Sequence, residues 1–112
     1  MYKIRVNPNA TEDLIEIRDY ITEELQNPAA ALNVVRKIIE RYEQLKMFPL
    51  LGVDLSSKIS VQTDFRYLVA GNYIIFYRVD HEYVYIYRIL YAGRDYIKVL
   101  FSNEVSVDYE DF

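Results

Sequence analysis

The segment from Phe65 to Tyr96 constrains the fold of this chain more than any other part. Its 32 residues contain eight of the twelve tyrosines and divide into three runs rich in β-branched and aromatic side chains. The interruptions Ala70-Gly71-Asn72 and Asp80-His81-Glu82 have the composition of tight turns, so an antiparallel meander is predicted. The three predicted strands are Phe65–Val69, Asn72–Asp80 and Glu82–Tyr91.

The N-terminal half predicts one short strand followed by two helices. Tyr2–Val6 alternates polar and apolar residues, as a strand does. Asn9 with Glu12 has the pattern of a helix N-cap, and Asn27-Pro28 begins a second helical pattern that extends to Phe48-Pro49. With almost no linker between them, the two helices are expected to pair as an antiparallel hairpin.

The order of these elements predicts an α+β domain. We expect an N-terminal strand and an antiparallel helical hairpin packed on a three- to four-stranded antiparallel sheet. Residues 50–60 show no clear period and are expected to form a loop, and Asp95–Phe101 is expected to add a helical turn. At 112 residues, one domain is expected, spanning 1–101 and followed by an acidic C-terminal tail at 102–112.

The charge distribution separates the tail from the rest of the chain. The formal net charge is −4, and the tail holds four acidic residues and no basic one. The remaining 13 acidic and 13 basic residues balance. The sheet half, residues 58–101, holds six basic and four acidic residues, a weaker excess than the basic stripe of a nucleic-acid-binding protein.

Composition and motifs argue against several classes of site. The chain has no cysteine and a single histidine, His81, which is expected to be exposed in a turn. No metal-ligand spacing, glycine-rich phosphate loop or nucleophile motif is present, so neither a metal nor a cofactor is predicted. No apolar run approaches the ~18 residues of a membrane span. We therefore predict a cytoplasmic protein without membrane contact.

Alternation along the last two strands predicts a sheet with two partly apolar faces. Tyr73, Ile75, Tyr77 and Val79 share one face, while Ile74, Phe76 and Arg78 share the other. In the next strand, Tyr83, Tyr85, Tyr87, Ile89 and Tyr91 alternate with Val84, Ile86, Arg88 and Leu90. The helical hairpin can cover only one face. The other is expected to be covered by the tail or a partner, or to remain partly exposed.

Several charged residues have both a structural and a functional interpretation. The doublets Glu12-Asp13 and Glu23-Glu24 are expected on a solvated helix surface. Arg66 either supports the sheet or contacts a ligand, and Arg94-Asp95 is a candidate ion pair in a turn. Arginines and tyrosines together on one sheet face also have the chemistry to hold a phosphate backbone and stack bases.

The order and spacing of several short motifs resemble the RelE/ParE toxin superfamily of type II toxin–antitoxin modules. The resemblance covers nearly the whole chain, and its fold, a helical hairpin on an antiparallel sheet, agrees with the prediction above. The matching motifs are the opening strand to Asn9, DLIEIRDYI (Asp13–Ile21), NPAAA (Asn27–Ala31), LKMFPLLG (Leu45–Gly52), FRYL (Phe65–Leu68), GNYIIFYRV (Gly71–Val79) and YRILYAGRDY (Tyr87–Tyr96).

The resemblance implies an intracellular growth-inhibiting toxin whose partner is a cognate antitoxin that wraps it. Superfamily members of the RelE type are ribosome-dependent endoribonucleases that use arginines to orient mRNA and stabilise the charged transition state. Arg94 matches one such arginine, but Ile74 stands where another would be, and a late tyrosine of that group is missing near Leu100. The candidate catalytic residues under this alternative are Arg66, Arg94 and Tyr96.

Members of the ParE type inhibit DNA gyrase and need no catalytic residues. We favour this type because Ile74 cannot hold a phosphate and because the body of the chain is near neutral. Whether the chain is an enzyme depends on this choice, and an inactive, degenerate toxin is a third alternative. The residues predicted to bind the antitoxin or the target are Ile74, Phe76, Arg78, Arg88 and Arg94.

Overall fold

The computed structural model describes residues 1–101, so the predicted acidic tail at 102–112 lies outside the described residues. Its main elements are β1 (Lys3–Val6), α1 (Pro8–Glu24), α2 (Pro28–Glu43), β2 (Val53–Asp54), β3 (Arg66–Ala70), β4 (Tyr73–Asp80) and β5 (Tyr83–Tyr91). Short 3-10 turns lie at Gln44–Lys46 and Leu55–Ser57. Residues 96–101 are helical, as predicted.

The sheet confirms the predicted α+β class and is larger than expected. Its strand order is β1-β5-β4-β3-β2, and β3, β4 and β5 form the predicted antiparallel meander. β1 pairs with β5 in parallel, and the helical hairpin carries the chain from β1, at one edge of the sheet, to β2, at the other. β2, inside the segment predicted as a loop, pairs with β3. The sheet therefore has five strands instead of three or four, and it is mixed.

The helices begin where proline meets an asparagine cap. Asn7, and not Asn9, is the N-cap of α1, and its side-chain oxygen accepts the Asn9 N–H at 2.8 Å. Pro8 fits the first helical position because it has no N–H to leave unpaired, so the helix starts earlier than predicted. Asn27 caps α2 by accepting the Ala30 N–H at 3.1 Å, as the Asn27-Pro28 pattern predicts.

The larger hydrophobic core lies between the helical hairpin and one face of the sheet. Apolar residues of α1 and α2 pack there against β3, β4 and β5, and Leu45 follows them from the turn after α2. The buried members are Ala10, Ile17, Ile21, Ala31, Ile38, Tyr42, Leu45, Leu68, Ile75, Tyr77, Val84, Ile86 and Ile89.

A second cluster covers the opposite face of the sheet. Its buried members are Leu55, Phe65, Phe76, Leu90 and Leu100. Leu55 comes from the turn after β2, and Leu100 comes from the helical segment at residues 96–101. The chain itself thus covers much of the face that the sequence left to the tail, a partner or solvent.

A β-bulge changes the faces of β5. The pairing steps from Tyr77 opposite Ile86 to Phe76 opposite Arg88, which leaves Tyr87 as an extra residue. Beyond that point the alternation is reversed, so Ile89 joins the hairpin core and Leu90 the second cluster. The predicted faces of β4 are confirmed, while those of β5 after Tyr87 are wrong.

Candidate functional site

A cleft of about 460 Å³ lies between α1 and the ends of β4 and β5. The helix contributes an acidic and apolar wall, and the strands contribute tyrosines and the turn that follows β5. The lining residues are Asp13, Glu16, Ile17, Tyr20, Tyr73, Ile89, Leu90, Tyr91 and Arg94. Of the residues predicted as catalytic or binding, Arg94 is the one that the structure places in the lining of this cleft.

Asp13, in one wall of the cleft, forms an ion pair that joins α1 to β5. Arg88 donates from Nε and Nη2 to the two carboxylate oxygens of Asp13, at 2.8 and 2.9 Å. The same carboxylate accepts the Ile89 N–H at 2.8 Å. These contacts to Asp13 raise the pKa of Arg88. The expectation of a solvated surface is wrong for Asp13, which is only 4% exposed, and Arg88 supports the fold here.

The open side of the cleft is aromatic. Tyr20 and Tyr91 are well exposed, and the Tyr91 ring meets the Tyr73 ring edge-on with centroids 6.1 Å apart. Burial raises the pKa of the Tyr73 hydroxyl. Arg94 is held at the cleft by its backbone, whose N–H donates to the Tyr91 carbonyl at 3.0 Å. A cation among tyrosine rings at a cleft suits binding of a partner side chain.

The other predicted arginines lie apart from the cleft. Arg66 donates from Nη2 to the carbonyls of Leu50 and Gly52, at 3.2 and 2.8 Å, so it has the supporting role that was one of its two interpretations. Arg78 lies over the Phe65 ring at 4.1 Å, on the face opposite the hairpin. Its Nε is 3.0 Å from an Asp64 carboxylate oxygen.

The predicted apolar and aromatic site residues belong to the second cluster. Phe76 is 1% exposed, and its ring packs on Tyr96 with centroids 5.2 Å apart. Ile74 is half-buried at the edge of the same cluster. In the turn before residues 96–101, Asp95 accepts the Lys98 N–H at 3.2 Å, as a helix cap does. Neither Ile74 nor Phe76 lines the cleft that contains Arg94.

An exposed apolar loop forms a second candidate surface that the sequence reasoning did not single out. Its motif, LKMFPLLG, carried part of the family resemblance, but the exposure of its side chains was not predicted. We call residues 47–53 the apolar loop. Five of its side chains are exposed: Met47, Phe48, Leu50, Leu51 and Val53. Neighbouring apolar side chains in water indicate an interaction surface more often than isolated ones do.

Buried polar groups hold the apolar loop in one conformation. The Tyr77 hydroxyl accepts the Gly52 N–H at 2.8 Å and donates to the Pro49 carbonyl at 2.9 Å. Arg66 binds two further carbonyls of the loop, and burial is the main cause that raises the pKa of Tyr77. A β-carbon on Gly52 would lie 2.6 Å from the Tyr67 carbonyl oxygen, so this close approach requires glycine. The loop is therefore preorganised, which lowers the entropic cost of binding.

Two further findings concern the described part of the chain. Within residues 1–101, no group of three or more His, Asp or Glu side chains is arranged to hold a metal ion. No helix in that range has the length and apolar character needed to cross a membrane.

Comparisons with known proteins agree with this geometry. Residues 4–96 match the model of a family described as the ParE toxin of the type II toxin–antitoxin system, parDE. The chain is also similar to a solved structure, the chromosomal ParDE TA system from P. aeruginosa, with a TM-score of 0.70 and 24% identity. That match covers 83% of this chain and 98% of the other, and at this identity it shows the shared fold. No curated protein matches the chain significantly.

Proposed function

Since the chain belongs to the ParE toxin family of type II toxin–antitoxin systems, we propose that it inhibits growth by binding DNA gyrase in the cytoplasm and that a cognate antitoxin neutralises it. The toxin acts by occupying a surface of its target, without a chemical step. The observation that supports this proposal is that most arginines of the segment from Phe65 to Tyr96 already bind other parts of the toxin.

Three of the four arginines between Phe65 and Tyr96 are bound to the toxin itself. Arg66 binds carbonyls of the apolar loop, Arg88 binds Asp13, and Arg78 lies against Phe65 and Asp64. An endoribonuclease of this superfamily needs several cations directed at the scissile phosphate and its transition state. Cations that already hold the fold are not available for that role, which favours a binding toxin.

The apolar loop supplies a surface suited to a protein target. Phe48 and Leu50 project into solvent from a loop whose backbone is fixed by Tyr77 and Arg66. Large apolar side chains presented on a rigid support contribute most of the free energy in many protein interfaces. We place the gyrase contact at this loop and the antitoxin contact at the cleft that contains Arg94.

An endoribonuclease of the RelE type remains the second candidate, and one observation favours it. Arg94 lines the same cleft as Tyr73 and Tyr91, where an RNA base could stack and a phosphate could be held. Arg94→Ala separates the two functions. Unchanged toxicity of this variant is expected for a gyrase inhibitor, whereas a ribonuclease would lose most of its activity.

The experiment that tests the proposal compares substitutions at two leucines whose side chains are almost equally exposed. Leu50, in the apolar loop, is 64% exposed, and Leu32, on α2, is 66% exposed. We expect the purified toxin to block supercoiling by gyrase, the Leu50→Asp variant to lose that inhibition, and the Leu32→Asp control to retain it. Cleavage of mRNA in a purified translation reaction, with supercoiling unaffected, would instead establish the ribonuclease.

A further inference from the structure

We propose that the acidic residues 102–112 dock on a basic, tyrosine-rich strip on the sheet face opposite the helical hairpin. This strip is formed by β1, β4 and β5. Its members are Lys3, Arg5, Tyr83 and Tyr85, and Arg78, which already contacts Asp64 and Phe65, lies at its edge. The inference concerns a surface separate from the cleft and the apolar loop, and it does not depend on the target of the toxin.

The two cations of β1 in the strip lie over one tyrosine ring, that of Tyr83. The parallel register places Lys3 beside Tyr83 and Arg5 beside Tyr85. The Arg5 guanidinium lies 4.9 Å from the centroid of the Tyr83 ring and donates to its hydroxyl at 3.4 Å, and the Lys3 ammonium lies 5.9 Å from the same centroid. The Tyr83 and Tyr85 rings are 5.8 Å apart, which makes the surface continuous. Such stacking keeps charge exposed at defined positions.

The end of the described chain lies close to this strip. The final helical segment crosses the second sheet face, with Tyr96 packed on Phe76 and Phe101 edge-on to Phe65 at 6.0 Å. Arg78 covers the same Phe65 ring at 4.1 Å. The described chain therefore ends near Arg78, at the edge of the strip.

The length of the remaining segment is sufficient to follow the strip. Eleven residues span at most about 36 Å when extended, and neighbouring strands are about 4.8 Å apart. The strip crosses only the three adjacent strands β4, β5 and β1. The segment is therefore long enough to reach Lys3.

Charge complementarity favours this segment as the occupant. It holds four carboxylates and no basic residue, while the other 13 acidic and 13 basic residues balance. Near the strip, Asp64 already contacts Arg78 and Asp80 contacts His81, and Glu82 is exposed in the turn. The ion pairs formed within residues 1–101 do not include Lys3 or Arg5.

The segment also has an apolar pattern that suits the tyrosines. Val105, Val107 and Tyr109 alternate with Glu104, Ser106 and Asp108. If the segment binds in an extended conformation, this alternation would put the apolar set on one side and the polar set on the other. The apolar side chains can then contact the exposed Tyr85 ring, while the carboxylates reach Lys3 and Arg5 beside that ring.

The absence of cysteine allows a direct test in the full-length protein. Ser106→Cys creates a single attachment site for a nitroxide spin label, and NMR reports which signals the label broadens. We expect the strongest broadening at Arg5 and Tyr85, weaker broadening at Leu50, and loss of the effect when the salt concentration is raised.

A charge-matched pair of variants completes the test. Lys3→Glu with Arg5→Glu, in the labelled protein, is expected to abolish the broadening at Tyr85. Arg36→Glu with Lys37→Glu makes the same charge change on α2 and is expected to leave the broadening unchanged. Uniform broadening over the surface, a maximum at the cleft or the apolar loop, or the same loss in both pairs would overturn the proposal.

Discussion

Arg88 donates two hydrogen bonds to Asp13 at the point where β5 continues beyond the end of β1. β1 ends at Val6, opposite Ile86, so the next part of that edge of β5 has no paired strand within residues 1–101. Asp13 accepts the Ile89 N–H there, in place of a strand carbonyl. One carboxylate therefore satisfies both a cation and the backbone of a sheet edge, and it joins α1 to β5.

Asp13→Ala is expected to destabilise the protein by roughly 3–5 kcal/mol, because it leaves Arg88 and the Ile89 N–H without their partner. Urea denaturation measures this free energy of unfolding. Asp19→Ala removes an exposed ion pair with Arg18 and is the matched control, with an expected cost below about 1 kcal/mol. Equal costs for the two substitutions would show that the Asp13 contact does not have the structural role assigned to it.

Tyr77→Phe is expected to free the apolar loop while leaving the core filled. The variant loses the bonds to the Gly52 N–H and the Pro49 carbonyl, at a cost of about 1–3 kcal/mol. Hydrogen exchange at Gly52 should become faster, and inhibition of gyrase should weaken. Tyr85→Phe removes a hydroxyl from an exposed ring and serves as the control. Unchanged exchange at Gly52 in the Tyr77 variant would contradict the proposed restraint.

Gly52→Ala is expected to lower stability by about 1–3 kcal/mol, since the new methyl group has no room between the Tyr67 carbonyl and the Tyr77 hydroxyl. Thermal unfolding provides the measurement. Gly71, in the turn between β3 and β4, has φ of +60° and open space around it. Gly71→Asn should be tolerated, because asparagine adopts this backbone region readily. A tolerated alanine at Gly52 would show that the loop can move away from Tyr77.

Stability should fall in alkaline solution. Burial raises the pKa of Tyr42, Tyr73 and Tyr77, which means that folding favours the neutral phenol. An unfolded tyrosine ionises near pH 10, so the stabilisation is complete below about that pH and is lost as the pH rises through the higher folded-state values. Unfolding temperatures measured from pH 8 to about pH 11 test this prediction. The Tyr77→Phe variant should show a smaller alkaline loss than the wild-type protein, and an equal loss would exclude Tyr77 as a source.

Local patterns predicted the meander and the helical hairpin because they depend on neighbours in sequence. The turns at Gly71 and His81 have positive φ, and an asparagine cap followed by proline suits the start of a helix. The predicted N-cap of α1, Asn9, was wrong in position only, because the observed cap, Asn7, is also an asparagine. The resemblance to the toxin superfamily likewise depended on the order and spacing of short motifs, and the family match over residues 4–96 confirms it.

The candidate site was less predictable because its contacts join residues that are far apart in the chain. Nothing near Asp13 in sequence distinguishes it from the exposed Glu12, and its burial depends on Arg88, 75 residues away. The exposure of Leu50 depends on Tyr77 and Arg66, which hold the loop backbone from the sheet. The predicted binding role of Phe76 stays a prediction, and its side chain lies in a buried cluster.

The amino-acid sequence by itself determined the two helices, the meander and the α+β class, because these follow from local conformational preference and from alternation along single segments. It indicated the toxin family through the order and spacing of short motifs, and the family match confirms this. Tertiary structure alone decided which charged and aromatic side chains hold the fold and which remain available for a partner. A bulge at Tyr87 reverses the faces of β5, and desolvation makes a carboxylate such as Asp13 depend on its distant cation. Both effects arise only when separate segments pack together.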